Sequence, residues 1–100
     1  MIRGTTPTHV FNISFDTSLI SDLRITYAQC GKELVVKKYD DVILSDQAIT
    51  VTLTQEDTLK FDCSKQAVQI ELRVKTNGGK VISSGIFNKS VEACLNEEVL

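Results

Sequence analysis

The chain carries one histidine, His9, three cysteines, Cys30, Cys63 and Cys94, and the acidic pairs Asp40-Asp41, Glu56-Asp57 and Glu97-Glu98. Acid–base, nucleophilic and metal chemistry draw on these residue types, and each needs them to converge in space. A lone imidazole leaves no second histidine for a metal pair. At the start of a strand His9 reads as an edge or surface residue. A nucleophilic Cys–His pair would need one of the thiols to meet His9. Two carboxylates can cleave a glycosidic bond, but each acidic pair falls in a turn or tail, where solvation accounts for it. With no Trp and only two Tyr, the chain has little aromatic surface for a sugar. Turn carboxylates could also hold calcium, but the D-x-D-x-D-G pattern is absent.

Other motifs weaken in the same way. Asn77-Gly78-Gly79-Lys80 resembles part of a phosphate loop, yet it lacks the full spacing and precedes a strand. Asn12-Ile13-Ser14 and Asn88-Lys89-Ser90 match the glycosylation sequon, but both fall in strand patterns without a secretion signal. The three cysteines are an odd set at irregular spacing, unlike a disulfide framework. They read as free thiols, buried or half-buried as free cysteine usually is. No residue is therefore assigned a catalytic, cofactor-binding or metal-binding role, no cofactor is expected, and the chain reads as a non-enzyme.

The elements that would position these residues are strands. Residues 9–15 alternate, with Phe11, Ile13 and Phe15 on one face. Residues 20–28 place Leu23, Ile25 and Tyr27 inward against Asp22, Arg24 and Thr26. Residues 33–39 carry Leu34 and Val36 on one face and Val35, Lys37 and Tyr39 on the other, a less well buried pattern. Short runs follow at 42–44 and 49–54, the latter setting Ile49, Val51 and Leu53 against threonines. Residues 67–76 bury Val68, Ile70, Leu72 and Val74. Asn77-Gly78 then tolerates positive φ and marks a hairpin. The last strand spans 80–91, with a bulge or bend at Gly85.

The alternation of 49–54 breaks at Gln55-Glu56-Asp57 and apolar residues resume at Leu59 and Phe61. That break reads as a corner. Thr54 caps a single helical turn, acidic residues favour its start, and Phe61 plugs the bottom of the core. Residues 62–66 form a loop.

Seven regularly spaced strands in one hundred residues predict an all-β fold. The expected architecture is an antiparallel, immunoglobulin-like sandwich, with a small β-barrel as the alternative. The expected organisation is an N-terminal arm over 1–7, a sandwich over 8–92 and a C-terminal tail over 93–100. The arm, with Gly4 and Pro7, reads as a loose lead-in. In the tail, Val91, Leu95 and Val99 recur every four residues behind Ser90, a short helical pattern. It would pack on the sandwich, fray, or dock on a neighbour.

A composition of 42% hydrophobic and 24% charged residues supports one core without staples. A net charge of −2 argues against nucleic acid, and no basic cluster or long apolar run invites a membrane. No signal peptide is legible, so a cytoplasmic start is expected.

The stretches MIRGTTPTHVF, ITYAQCGK, ITVTLTQEDTLKF and SVEACLNEEVL together resemble small uncharacterised proteins encoded among the structural genes of prophages of Gram-positive bacteria. The resemblance covers nearly the whole chain and rests on turns, strands and a corner, so it implies no site residues. It implies a non-catalytic structural or assembly role in a phage particle, in the tail or baseplate region. The partners would be other virion proteins or further copies, and the location the bacterial cytoplasm during assembly and then the virion. A carbohydrate- or protein-binding sandwich is the alternative. It would need exposed aromatics, and only Tyr39 and Phe87 sit at positions that look free.

Overall fold

A computed structural model describes residues 1–62, 64 and 67–100. Its strands are β1 (Thr8–Asn12), β2 (Ile20–Gln29), β3 (Lys32–Lys38), β4 (Val42–Ser45), β5 (Ala48–Thr52), β6 (Val68–Thr76) and β7 (Val81–Lys89). The one α-helix among the described residues, α1, is Gln55–Leu59. The strands form two antiparallel sheets, ordered β1-β5-β4 and β3-β2-β6-β7. The pairs β2–β3, β4–β5 and β6–β7 are neighbours within a sheet, whereas β1→β2, β3→β4 and β5→β6 pass from one sheet to the other. This is the immunoglobulin order B-E-D against C′-C-F-G, without strand A. Separate sheets with free edges rule out the closed barrel.

The core lies between the sheets, where period-2 alternation sends one face of each strand inward. Leu23, Ile25 and Tyr27 of β2 meet Val68, Ile70, Leu72 and Val74 of β6, with Ile49 and Val51 of β5 opposite. Each such buried side chain contributes on the order of 1.5–3 kcal/mol by leaving water. Phe61 is 1% exposed and packs 6.1 Å from the Tyr27 ring, so it fills the base of the core as the corner requires.

The corner is a capped turn of helix. The Thr54 hydroxyl accepts from Asp57 N–H, and Asp57 Oδ2 accepts from Thr54 N–H, a reciprocal box. Hairpin chemistry is equally local. Gly79 takes φ +85°, which only glycine adopts without strain, and the turn closes through Thr76 N–H to Lys80 O. Gly85, at φ +80°, sits where two residues of β7 oppose Leu72 alone, so the bend is a bulge.

Several sequence expectations change. In β3 the buried valine is Val35, at 5% exposure, while Val36 is 38% exposed. The register shifts between Tyr27 and Ala28, and Lys37, on the Val35 face, runs inward to Asp57. β1 ends at Asn12, short of Phe15: Ile13 N–H still reaches Gln47 O, but β5 begins at Ala48, and Asp16 then caps a 3-10 turn at Thr17–Leu19.

The first residues are no loose lead-in. Ile2 bridges Glu92 in parallel, Pro7 O accepts from Leu53 N–H, and Thr58 Oγ1 joins Gly4 N–H and Thr5 O at 2.9 Å each. That pairing with residues 1–3 keeps the chain after β7 extended. The four-residue pattern of the tail therefore forms no helix: backbone partners on the arm outcompete a short helix that is marginal alone. Val91 packs on the core, while Leu95 and Leu100 are fully exposed. Cys30 is exposed in the β2–β3 turn at φ +52°, contrary to its expected burial, because the turn aims it at solvent. Cys94 is half-buried, and Cys63 lies outside the described residues, as does part of the 62–66 loop.

Candidate functional site

The residues with chemical potential do not converge. Asp41 Oδ2 accepts from Lys38 N–H and caps the 3-10 turn Tyr39–Asp41. Asp57 is committed to its capping box and to Lys37 Nζ at 2.7 Å. Burial pushes the Asp57 carboxyl up, but the bonds from Lys37 and Thr54 outweigh it and hold the group below the usual carboxylate range. Glu97 pairs with Arg3, whose guanidinium also donates to Leu59 O at the end of α1. Asn77 closes the hairpin and ties it to the 3-10 turn through Ser18 O and Leu19 O, so its loop has no phosphate cradle. Among the described residues no three His, Cys, Asp or Glu side chains group as metal ligands.

His9 differs most from its expected place. It stands on the edge strand as expected but points inward, half-buried, with Nδ1 2.8 Å from the Tyr27 hydroxyl. Burial lowers the imidazole pKa below the ordinary value, and the nearby Lys89 charge lowers it further. The neutral ring can then accept from the phenol. Burial pushes the Tyr27 phenol well above its ordinary value, so it keeps that proton.

The feature that stands out is one open side of the sandwich. β1 and β7 are terminal strands of their two sheets, and both line a single cavity of about 1030 Å³. A terminal strand presents a row of backbone N–H and C=O groups away from its sheet. The other two terminal strands, β3 and β4, follow one another in the chain and are linked through Tyr39–Asp41. Phe11, Ile13 and Phe15 line the groove from the β1 side, and Leu72, Ile82 and Phe87 from the other. Phe11 and Phe87 meet across it with ring centroids 6.2 Å apart.

β7 explains why the groove stays apolar. Every residue of this strand is exposed, including Val81, Ile82, Ile86 and Phe87. The register sets Ile82 and Phe87 opposite the buried Val74 and Ile70, and so toward the groove. Lys89 likewise pairs with buried Val68 and points into one end, near His9. No carboxylate lines the groove, and among the described residues Lys89 forms no ion pair.

Sequence reading missed this site because it had no reactive residues to flag. The apolar doublets Val81-Ile82 and Ile86-Phe87 were the available signal, since a strand apolar on both faces at a sheet edge lacks a covering layer. Tyr39 and Phe87 are 39% and 46% exposed, the two aromatics expected to be free. No helix among the described residues is long and apolar enough to cross a membrane. No protein-family model, curated protein or solved structure matches the chain.

Proposed function

We propose that this chain is a non-catalytic structural or assembly module of a phage particle, in its tail or baseplate region, made in the bacterial cytoplasm and carried into the virion. The observation that supports the reading is the open side: two unpaired strand edges flank an apolar groove with no reactive constellation beside it. Exposed edges are where β-proteins add a partner's strand. The phage setting comes from the resemblance of the terminal and corner stretches to prophage structural proteins.

Mass spectrometry of particles purified after prophage induction tests the proposal. Peptides of this chain in stoichiometric ratio to tail proteins would support it. Abundance in the lysate with absence from the particles would overturn it.

A second reading, a carbohydrate-binding module, draws on the Phe11–Phe87 pair flanked by Asn12, Ser84 and Asn88 in the same groove. Reproducible glycan-array binding lost in Phe87→Ala would favour it.

A further inference from the structure

We propose that the β1/β7 groove seats one extended strand of another protein, apolar at alternate positions, with a carboxylate at the end that meets Lys89. This rests on the assembly reading above and names the site and chemistry of the contact.

Shape comes first. The groove is bounded by the outer edges of β1 and β7, which no strand among the described residues covers. The segment ahead of β1, in the place of strand A, pairs instead through residues 1–3 with Ser90 and Glu92 just past β7. β1 has five residues, a length that a partner strand of about five or six residues would match. Alternation in the partner would send every second side chain toward Phe11, Ile13, Leu72 and Ile82.

Charge decides what kind of strand. An inward-pointing lysine and a bulge both guard a sheet edge against indiscriminate pairing. β7 has both, in Lys89 and Gly85. A second copy offering this same side would bring Lys89 and His9 and no carboxylate. The chain's own tail is a poor fit, since strand alternation would put Glu97 on one face with Leu95 and Val99. A partner that places a carboxylate beside Lys89 gains an ion pair and becomes the favoured occupant. β1 starts at the Lys89 end, so a strand antiparallel to it finishes there, and the acidic residue belongs at the partner's C-terminal side.

The test uses the full chain and a fluorescein-labelled, amidated peptide, Thr-Val-Thr-Phe-Thr-Val-Thr-Glu, whose Glu shares the face of its alternate apolar residues, as Lys89 shares that of Phe87. A twin ends in Lys, and a third version is N-methylated at alternate residues. Fluorescence anisotropy at low salt should show the Glu peptide binding about threefold or more tighter than the Lys twin. Lys89→Glu should reverse that preference. Phe87→Ser, at a half-exposed position that leaves the core intact, should weaken both by about tenfold. N-methylation, which blocks backbone pairing, should abolish binding. Equal affinity for the two peptides, or no binding by either, overturns the proposal. So does a concentration-dependent dimer by light scattering that Phe87→Ser dissolves, because a second copy then holds the groove. Incorporation into particles is read separately, so failure here leaves the assembly reading to its own test.

Discussion

Lys37 Nζ lies 2.7 Å from Asp57 Oδ2 and joins the third strand to the corner between the fifth and sixth. The side chains are only 16% and 12% exposed, so the pair sits mostly out of water. The same carboxylate caps α1, and the lysine stem covers the core beside Val35. One ion pair therefore ties the Val35 face of β3 to the entry into the corner.

Breaking that pair should cost more than a surface bridge would. Asp57→Ala removes the cap and leaves a half-buried ammonium unpaired, an expected loss of about 3 kcal/mol. Lys37→Met combined with Asp57→Asn should recover part of it. Urea unfolding midpoints of the two variants against the unaltered chain check this.

The folded state holds His9 in its neutral form, so its pKa is lower folded than unfolded. The unfolded chain then binds more protons, and stability falls as pH drops below the ordinary value of 6.5 toward the lower folded value. Above 6.5 this contribution is complete. His9→Gln should flatten the slope of melting temperature against pH between about 7 and 5, the range where an ordinary histidine titrates. Thermal scans across that range would show it, and an unchanged slope would mean that other groups carry it.

Thr58 is 0% exposed, and its hydroxyl bonds both Gly4 N–H and Thr5 O. Thr58→Val keeps the shape and leaves those two backbone groups short of partners, for a loss of about 1–3 kcal/mol. Deleting residues 1–7 should destabilise further, since Leu53 N–H also loses Pro7 O. Denaturant melts of both variants decide this, and a deletion as stable as the intact chain would return the arm to a loose lead-in.

Phe61→Ala should cost about 3–5 kcal/mol by opening a cavity under Tyr27. By contrast, Gly85→Ala meets no atom within 4 Å, so only backbone strain at φ +80° opposes it. The expected loss is about 1–2 kcal/mol. Comparing the two by calorimetry separates packing from strain.

Size-exclusion with light scattering over a wide concentration range would set the context for these variants. A stable ring-sized oligomer would direct mutagenesis to strand edges and termini. A monomer throughout would mean that assembly needs a partner protein.

Local chemistry determined the strands, the corner and the turns. Val68 to Val74 alternate with a period that only a half-buried strand uses, Gly79 and Gly85 supply positive φ, and Thr54 with Asp57 starts a helix by itself. Each of these signals acts within a few residues, so it can be read in order along the chain. The tertiary structure decided what depends on distant partners. Val35 and Val36 are the same residue type, and the β2–β3 register, which sets Val35 beside buried Tyr27 and sends Lys37 to Asp57, selects which one is buried. His9 turns inward because Tyr27 awaits it on the opposite sheet. The tail stays extended because Met1 and Arg3 supply backbone partners for Glu92. The groove exists only because the sheet order leaves β1 and β7 as free edges on one side, a fact of topology that no window of sequence contains.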